Sequence, residues 1–582
     1  MAEKDGKLQR IVLTGNPVSD GAVVARAYIY EPWEPDVLPT CFEPEKKQEK
    51  LDAFRRAAKQ AKAELTRLAE NLGPDFGDQA KIFLAHRELL DDEELMSETE
   101  LAITEAFLEP DAAVEKVFTS FTEMLSQVDD PLIAARAADL QDVKKRLQRI
   151  YQGREEQNLS KLENDVILVA RDLMPSDTAG LDRRHVKGII TEAGGTNSHS
   201  AILARSFQIP AISGVVNAVR IIPQNTLLAL DAVKGQAILR PRQEEIDACV
   251  RSQNILLSRR RAQAQYLGRP GATRDGISID LGINIGSCKF EASENYYDFI
   301  GLFRTEFLYM EGLCLPTEEE QLTAYTKVLE QANGKAVTLR TLDIGGDKNL
   351  PYMDLPREDN PFLGNRALRL CLSRPDIFQT QLRAALRASH RGKLQLMFPM
   401  VGGMEDIYRA KACVRAAMEQ LDAKGIPYNP HIRIGIMIEI PSIALMADLA
   451  AAEVDFASVG SNDLTQYVSA ADRMNPAVGP YYQNYSPAML RLLETVFSAF
   501  TAQDKPISVC GEMAGDPKAA VLLTGLGARK LSMNPASLAG VKAALARVSL
   551  KEAQDLARQC LGMRTQKEIL EHLSAFTAEA EV

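Results

Sequence analysis

The sequence predicts a multidomain α/β protein: a small α/β domain interrupted by a helical bundle and followed by a (β/α)8 barrel of the TIM type. Three observations carry that expectation. The chain has 582 residues, whereas a single core stops growing at roughly 250–300 residues. A stretch of helical patterning, about Glu43 to Gln152, lies between two segments rich in short apolar runs. Beyond Gly271, apolar runs and helical stretches alternate, as βα units of a parallel sheet do.

Leu8 to Tyr30 holds short apolar runs broken by Gly15-Asn16-Pro17 and Asp20-Gly21, which read as strands and turns. Leu51, Phe54, Ala58, Ala61, Leu65, Leu68 and Leu72 then advance in steps of three and four, one apolar stripe along a long helix. Gly73-Pro74 stops it, and further helical runs are expected at Leu84–Leu95, Ala112–Leu125 and Pro131–Ile150, a small bundle. The β pattern resumes at Val166–Ala170 and ends with Thr226–Asp231 and Gly235–Leu239. An all-α insertion is the simplest account. It assigns 1–42 and 153–241 to one α/β domain, 43–152 to the insertion, 242–270 to a linker helix and 271–582 to the barrel. Ser258-Arg259-Arg260-Arg261, at the linker's centre, reads as a solvated face, with an anion site as the alternative.

Eight apolar runs are candidate barrel strands: Ile277–Gly286, Phe299–Arg304, Val337–Asp343, Leu394–Met400, Ile434–Glu439, Phe456–Gly460, Ile507–Gly511 and Lys530–Met533. Arg304, Arg340, Glu439, Asn462, Asp463 and Cys510 fall at or just past the C-terminal ends of such runs, where barrel enzymes carry their active sites. Arg304, Arg340, Arg366 and Arg473 supply guanidiniums for a small ligand bearing carboxylate and phosphate. Glu439 and Asp463 supply hard oxygens for Mg2+, which takes one or two carboxylates and fills its octahedron with substrate phosphate and water. Salt bridges between these acids and arginines are the alternative reading.

A second site is expected near His199. Val186–Thr191 reads as a buried strand, Gly194-Gly195 as a turn, and Ser198 as the cap of a helix with Ile202, Leu203 and Phe207 on its apolar side. His199 then stands at a helix N-terminus, where free N–H groups favour an arriving anion. A nucleophilic imidazole there points to a phosphohistidine, while a histidine that only caps a helix or fills a core is the alternative.

The net charge of −11 argues against nucleic acid as the main partner and against a polybasic membrane face. No run approaches the ~18 apolar residues of a membrane span, and Met1-Ala2-Glu3-Lys4-Asp5 is no signal peptide. Eight cysteines without CxxC spacing fit a reduced cytoplasm and not a zinc site.

Gly194-Gly195, Ser198-His199, Ile202 and Ala204-Arg205, followed by Ile209-Pro210-Ala211-Ile212-Ser213-Gly214, resemble the swivelling phosphohistidine domain of the phosphoenolpyruvate-utilising enzymes. That family includes Enzyme I of the bacterial sugar phosphotransferase system, pyruvate phosphate dikinase and phosphoenolpyruvate synthase. Gly301–Leu308, Arg340–Lys348, Asn360–Arg366, Gly435–Pro441, Gly460–Tyr467, Asp472-Arg473 and Cys510–Asp516 resemble Enzyme I barrel motifs. The resemblance implies a cytoplasmic phosphotransferase of sugar transport, homodimeric through its barrel. It implies Mg2+ on Glu439 and Asp463, phosphoenolpyruvate on Arg304, Arg340, Arg366, Asn462, Asp463 and Arg473, and Cys510 as proton donor. His199 becomes the phosphohistidine intermediate, and the insertion docks an HPr-type phosphocarrier protein. His86 is then a structural or docking histidine. Two such transfers need movement, with Gly268-Arg269-Pro270-Gly271 and the turns near Gln152 and Pro241 as hinges. Thr196-Asn197 replaces the Arg-Thr usual in Enzyme I, which leaves a paralogue in a regulatory relay open, and Ser461 stands where Thr is usual. The dikinase and synthase need an ATP-grasp domain for which no segment is left over. A non-catalytic adaptor for HPr-like carriers and a metal-dependent aldolase or lyase are the remaining alternatives.

Overall fold

The computed structural model describes residues 10–581 apart from 32–36, 38, 72–76, 127–130, 155–158, 160–161, 163, 174–180, 183, 194–198, 289, 291–295, 311–313, 346–349, 351, 354, 357 and 474. The chain divides into two compact units, Met1–Arg259 and Arg260–Val582.

The first unit is built on one mixed sheet of β1 (Ile11–Thr14), β2 (Asn16–Ser19), β3 (Ala22–Tyr30), β4 (Val166–Ala170), β5 (Val186–Thr191), β6 (Ala211–Ser213), β7 (Leu227–Asp231) and β8 (Gln236–Leu239). Their order is β1-β8-β7-β3-β4-β5-β6-β2. β3 through β6 run parallel, and the flanking pairs are antiparallel. At the centre β4, Val-Ile-Leu-Val-Ala, is buried at every position, as an unbroken apolar run demands of a strand covered on both faces. A parallel pair cannot be joined by a tight turn and needs a long crossover. Between β3 and β4 that crossover is the helical bundle.

The bundle comprises α1 (Lys47–Asn71), α2 (Gly77–Leu89), α3 (Glu93–Thr104), α4 (Pro110–Ser126) and α5 (Pro131–Tyr151). Five residues of the expected stripe, Leu51, Phe54, Ala58, Ala61 and Leu65, are buried, most of them against Phe83, Phe118 and Leu147. Leu72 and Gly73-Pro74 lie outside the described residues. The expected run Leu84–Leu95 is corrected to two helices. α2 ends at Leu89, and the Asp92 carboxylate accepts a hydrogen bond from the Leu95 N–H at 2.9 Å, so it caps the start of α3. α6 (His199–Ser206) follows β5 in the chain, and α7 spans Gln243–Ala264. Ser258, Arg259, Arg260 and Arg261 are exposed on α7, which fits the solvated face.

The second unit is a closed barrel of eight parallel strands: β9 (Asp280–Ile285), β10 (Ile300–Arg304), β11 (Val337–Arg340), β12 (Leu394–Phe398), β13 (Arg433–Ile438), β14 (Phe456–Val459), β15 (Ile507–Val509) and β16 (Lys530–Met533), with β16 closing onto β9. Each expected run holds one strand, with β13 beginning at Arg433, one residue before its run. The run Val337–Asp343 forms a strand only to Arg340; Thr341 still donates its N–H to the Met397 carbonyl at 3.0 Å, and Leu342 and Asp343 lie past the ladder. Helices alternate with the strands; α8 (Pro375–Ser389) buries Ile377, Phe378, Leu382, Ala385 and Leu386 along one face, the 3.6-residue stripe of a helix laid on a barrel. α9 (Ser461–Ser469) opens directly after β14. Among the described residues no helix is long and apolar enough to cross a membrane.

Candidate active site

Five strands deliver the expected side chains to the same end of the barrel. Arg304 and Arg340 are the last residues of β10 and β11, Glu439 follows β13, Asn462 and Asp463 lie in the first turn of α9, and Cys510 follows β15. A parallel barrel sends every strand the same way, so residues far apart in sequence share one mouth.

The arginines and acids are wired differently from a simple pairing of the predicted partners. Asp343 Oδ2 accepts from Arg340 Nη1 at 2.9 Å and Asp343 Oδ1 from Arg366 Nη2 at 2.9 Å. Glu306 Oε1 accepts from Arg340 Nη2 at 2.8 Å. All four side chains are buried. Burial works against the charge of both arginines, but Asp343, and at Arg340 also Glu306, outweigh it and hold both above the ordinary guanidinium value. Three donors still have no acceptor among the described residues: Arg340 Nε, Arg366 Nε and Arg366 Nη1. Buried N–H groups left unpaired cost free energy that an arriving anion would recover. The alternative of salt bridges between the candidate acids and arginines is realised in part, by Arg473 beside Asp463 at 3.4 Å, while Arg340 and Arg366 pair instead with Glu306 and Asp343. Neither stood among the sequence-derived candidates, although each is two or three residues past an arginine that did.

Glu439 and Asp463 make the second half of the mouth. The Glu439 carboxylate is buried, and its Oε1 accepts the Met400 N–H at 2.6 Å. Burial first, then the charges of Asp463 and Asp343, push it up to about 8. Asp463 Oδ1 accepts no hydrogen bond among the described residues, although Arg473 Nη1 lies 3.4 Å from it as an ion pair. The buried Ser461 hydroxyl is likewise without a partner among the described residues. Two crowded carboxylates with an unshared oxygen fit a hard divalent cation. Among the described residues no group of three or more His, Cys, Asp or Glu is placed to hold a metal ion. Gly460 makes room for this arrangement: a Cβ there would stand 2.8 Å from Glu439 Oε2 and 3.1 Å from Glu439 Cβ. Gly460→Ala is expected to displace the carboxylate and weaken Mg2+ binding about tenfold. Calorimetric titration checks this, with the melting temperature as the control for folding.

Beside these groups lies a cavity of about 670 Å3 lined by Asn284, Arg304, Asn462, Cys510 and Glu512 among others. Asn462 is oriented by the Glu512 N–H, which donates to its Oδ1 at 3.0 Å, and by the Tyr482 hydroxyl, which donates to its carbonyl at 3.0 Å. Arg304 is exposed at the mouth, yet the enclosing protein and then the neighbouring Arg340 cation lower its pKa. Cys510 is 4% exposed, and burial raises its thiol to about 11, so it is protonated at neutral pH. Asn284 Nδ2 donates to the Cys510 carbonyl at 2.9 Å, and Ser532 Oγ donates to Asn284 Oδ1 at 2.7 Å. The backbone at the thiol is thereby tied to β9, two strands away around the barrel.

In the first unit His199 is the first residue of α6. Gly194–Ser198, including the Thr196-Asn197 departure and the Ser198 cap, lie outside the described residues, as does Gly346-Asp347-Lys348 of the barrel motif. His86, on α2, is 2% exposed; its Nε2 lies 2.9 Å from Asp139 Oδ1 and its ring meets Phe83 edge-on.

The barrel mouth thus gathers unpaired arginine donors, two crowded carboxylates and a buried, protonated thiol. The chain belongs to the family of PEP-utilising enzymes. Its residues 14–136 match the N-terminal domain of that family, 162–235 the mobile domain and 260–550 the PEP-binding domain. The phosphoenolpyruvate-protein phosphotransferase of Bacillus subtilis (strain 168) is 41% identical over 561 residues, covering 96% of this chain and 98% of its own. The protein of the same name from Geobacillus stearothermophilus is 41% identical over 562 residues, with 96% of each chain covered. The one from Listeria innocua serovar 6a is 39% identical over 570 residues, covering 97% of this chain and 99% of its own.

Proposed function

We propose that the protein transfers the phosphoryl group of phosphoenolpyruvate to its own His199, and from there to a histidine of an HPr-type phosphocarrier protein. The observation that carries this is the convergence, at one barrel mouth, of unshared arginine donors, two crowded carboxylates and a buried protonated thiol. Similarity to phosphoenolpyruvate-protein phosphotransferases over nearly the whole chain supports it.

In this reading Arg304, Arg340, Arg366 and Arg473, with Asn462, hold the carboxylate and phosphate of the substrate. Bidentate guanidiniums are suited to both. Glu439 and Asp463 would hold Mg2+, which when bound neutralises charge on the transferring phosphoryl group. The P–O bond to the enol oxygen breaks as a ring nitrogen of His199 forms the P–N bond, and the enolate of pyruvate remains. The Cys510 S–H then breaks, its proton goes to C3 of the enolate, and the electron pair stays on sulfur. Solvent reprotonates the thiolate after pyruvate leaves. The domain boundaries given above, a cytoplasmic setting, a place in sugar transport and a homodimer formed through the barrel complete the proposal.

With phosphoenolpyruvate and Mg2+ but no carrier, pyruvate should appear about once per site and then stop. Adding an HPr-type carrier should make release continuous. Absence of any release would contradict the proposal and leave an adaptor, and unlimited release without a carrier would contradict protein as the acceptor. One second reading has an observation behind it. Thr196-Asn197 in place of Arg-Thr suits a regulatory carrier, and comparing transfer rates to sugar-system and regulatory carriers separates the two.

A further inference from the structure

The mechanism above uses Arg304 and Arg340 and leaves Gln381 unused, a buried side chain of α8 bonded to the segments just past both. At the ends of β10 and β11, side chains take over hydrogen bonds that the ladder no longer supplies to the backbone. Thr305, one residue past Arg304, donates its hydroxyl to the Arg340 carbonyl at 3.0 Å. Leu342, one residue before Asp343, donates its N–H to Gln381 Oε1 at 2.9 Å. The other end of the same amide, Gln381 Nε2, donates to Thr305 Oγ1 at 3.1 Å and to the Tyr325 hydroxyl at 3.3 Å. Tyr325, on the helix Glu318–Gln331, donates in turn to Gln321 Oε1 at 2.9 Å. Gln381, Thr305 and Tyr325 are all 0% exposed. Only one orientation of the amide serves, because a turned amide would set its N–H against that of Leu342.

We propose that Gln381 is a positioning residue for substrate binding: it ties the segment after β10 to the segment after β11 and so sets the spacing of the arginines at the mouth. The inference rests on the arginine mouth being the phosphoenolpyruvate site. Without the Gln381 carbonyl the Leu342 N–H is buried and unpaired, a cost the segment escapes only by shifting. Asp343 is the next residue, and its two oxygens accept from Arg340 and Arg366, each at 2.9 Å. Its N–H donates to Glu306 Oε1 at 3.2 Å, the oxygen that also takes Arg340 Nη2. A shift at Leu342 therefore reaches both guanidiniums. Thr305 gives a second route, through the Arg340 carbonyl. Glu439 and Asp463 take no part in these bonds, so the cation-binding half of the mouth stands apart from Gln381.

The test uses the full-length protein. Label reaching His199 in a single turnover is followed across phosphoenolpyruvate concentrations with Mg2+, beside Mg2+ binding by calorimetric titration and the melting temperature. Gln381→Met keeps the volume and removes the amide. It should raise the half-saturating phosphoenolpyruvate concentration about tenfold, the worth of a hydrogen bond or two. The maximal rate and the Mg2+ affinity should stay as in the wild type, the pattern of lost uniform binding. Thr305→Val should raise half-saturation about threefold, since Leu342 keeps its acceptor. Tyr325→Phe breaks the network on its far side, toward Gln321; it should lower the melting temperature and leave half-saturation unchanged. Should Gln381→Met not fold, Thr305→Val against Tyr325→Phe gives the same contrast. Half-saturation that follows the melting temperature through the variants, or Mg2+ affinity that falls with it, would mark a purely structural glutamine and overturn the proposal. Unchanged half-saturation in a folded Gln381→Met would overturn it as well, leaving the arginine site in place. Wild-type half-saturation in Arg340→Ala and Arg366→Ala would overturn the reading of the mouth itself, and the proposal with it.

Discussion

Glu439→Gln is expected to lower turnover by about a thousandfold while leaving the metal-free protein at least as stable as the wild type. The two halves of that result have one origin. Glutamine keeps the side-chain oxygen that accepts the Met400 N–H at 2.6 Å, so the local backbone is held as before. What it removes is the ability to ionise: burial and the charges of Asp463 and Asp343 push the Glu439 carboxyl up to about 8, so without metal it is mostly protonated at neutral pH and a neutral amide replaces it at little cost. A divalent cation would need the ionised form, and without it the transferring phosphoryl group loses its counter-charge. Pyruvate release with Mg2+ and thermal unfolding in chelator, measured on one preparation, check both halves. A variant that loses stability and activity together would mean that Glu439 acts through structure.

Cys510→Ala is expected to slow steady turnover by about 10²–10⁴-fold, the range for removing a general acid, yet to leave phosphorylation of the protein in a single turnover intact. Phosphoryl transfer precedes protonation, so the enolate forms whether or not the thiol is present. The thiol has the properties the step needs: it lines the same cavity as Arg304 and Asn462, and burial holds its proton on at neutral pH. Rapid-quench measurement of label, beside steady-state pyruvate release, separates the two steps. Equal losses in both would place Cys510 in substrate binding instead.

Much of the barrel was legible because parallel strands buried on both sides read as continuous apolar runs, and all eight runs hold a strand. The position of Arg304, Arg340, Glu439 and Cys510 at the ends of those runs was legible for the same reason. Which acid meets which arginine was not. Glu306 and Asp343 lie just past the ends of β10 and β11 and pair with Arg340 and Arg366, and no periodicity encodes which partners meet from separate segments. The break between α2 and α3 was missed because Leu90-Asp91-Asp92 contains neither Gly nor Pro. Only the cap that Asp92 makes to the Leu95 N–H marks it. The mixed order of the first sheet follows from long-range pairing of β3 with both β4 and β7, which local pattern cannot specify.

The central claim is that phosphoenolpyruvate phosphorylates this chain on His199, the first residue of α6. The most direct measurement incubates wild type and His199→Ala with phosphoenolpyruvate labelled in its phosphoryl group, with Mg2+, and maps acid-labile label by peptide. The account predicts close to one label per chain on the peptide containing His199, and none on the variant, which still binds phosphoenolpyruvate. Label at wild-type stoichiometry on His199→Ala, on another histidine or elsewhere, would contradict it.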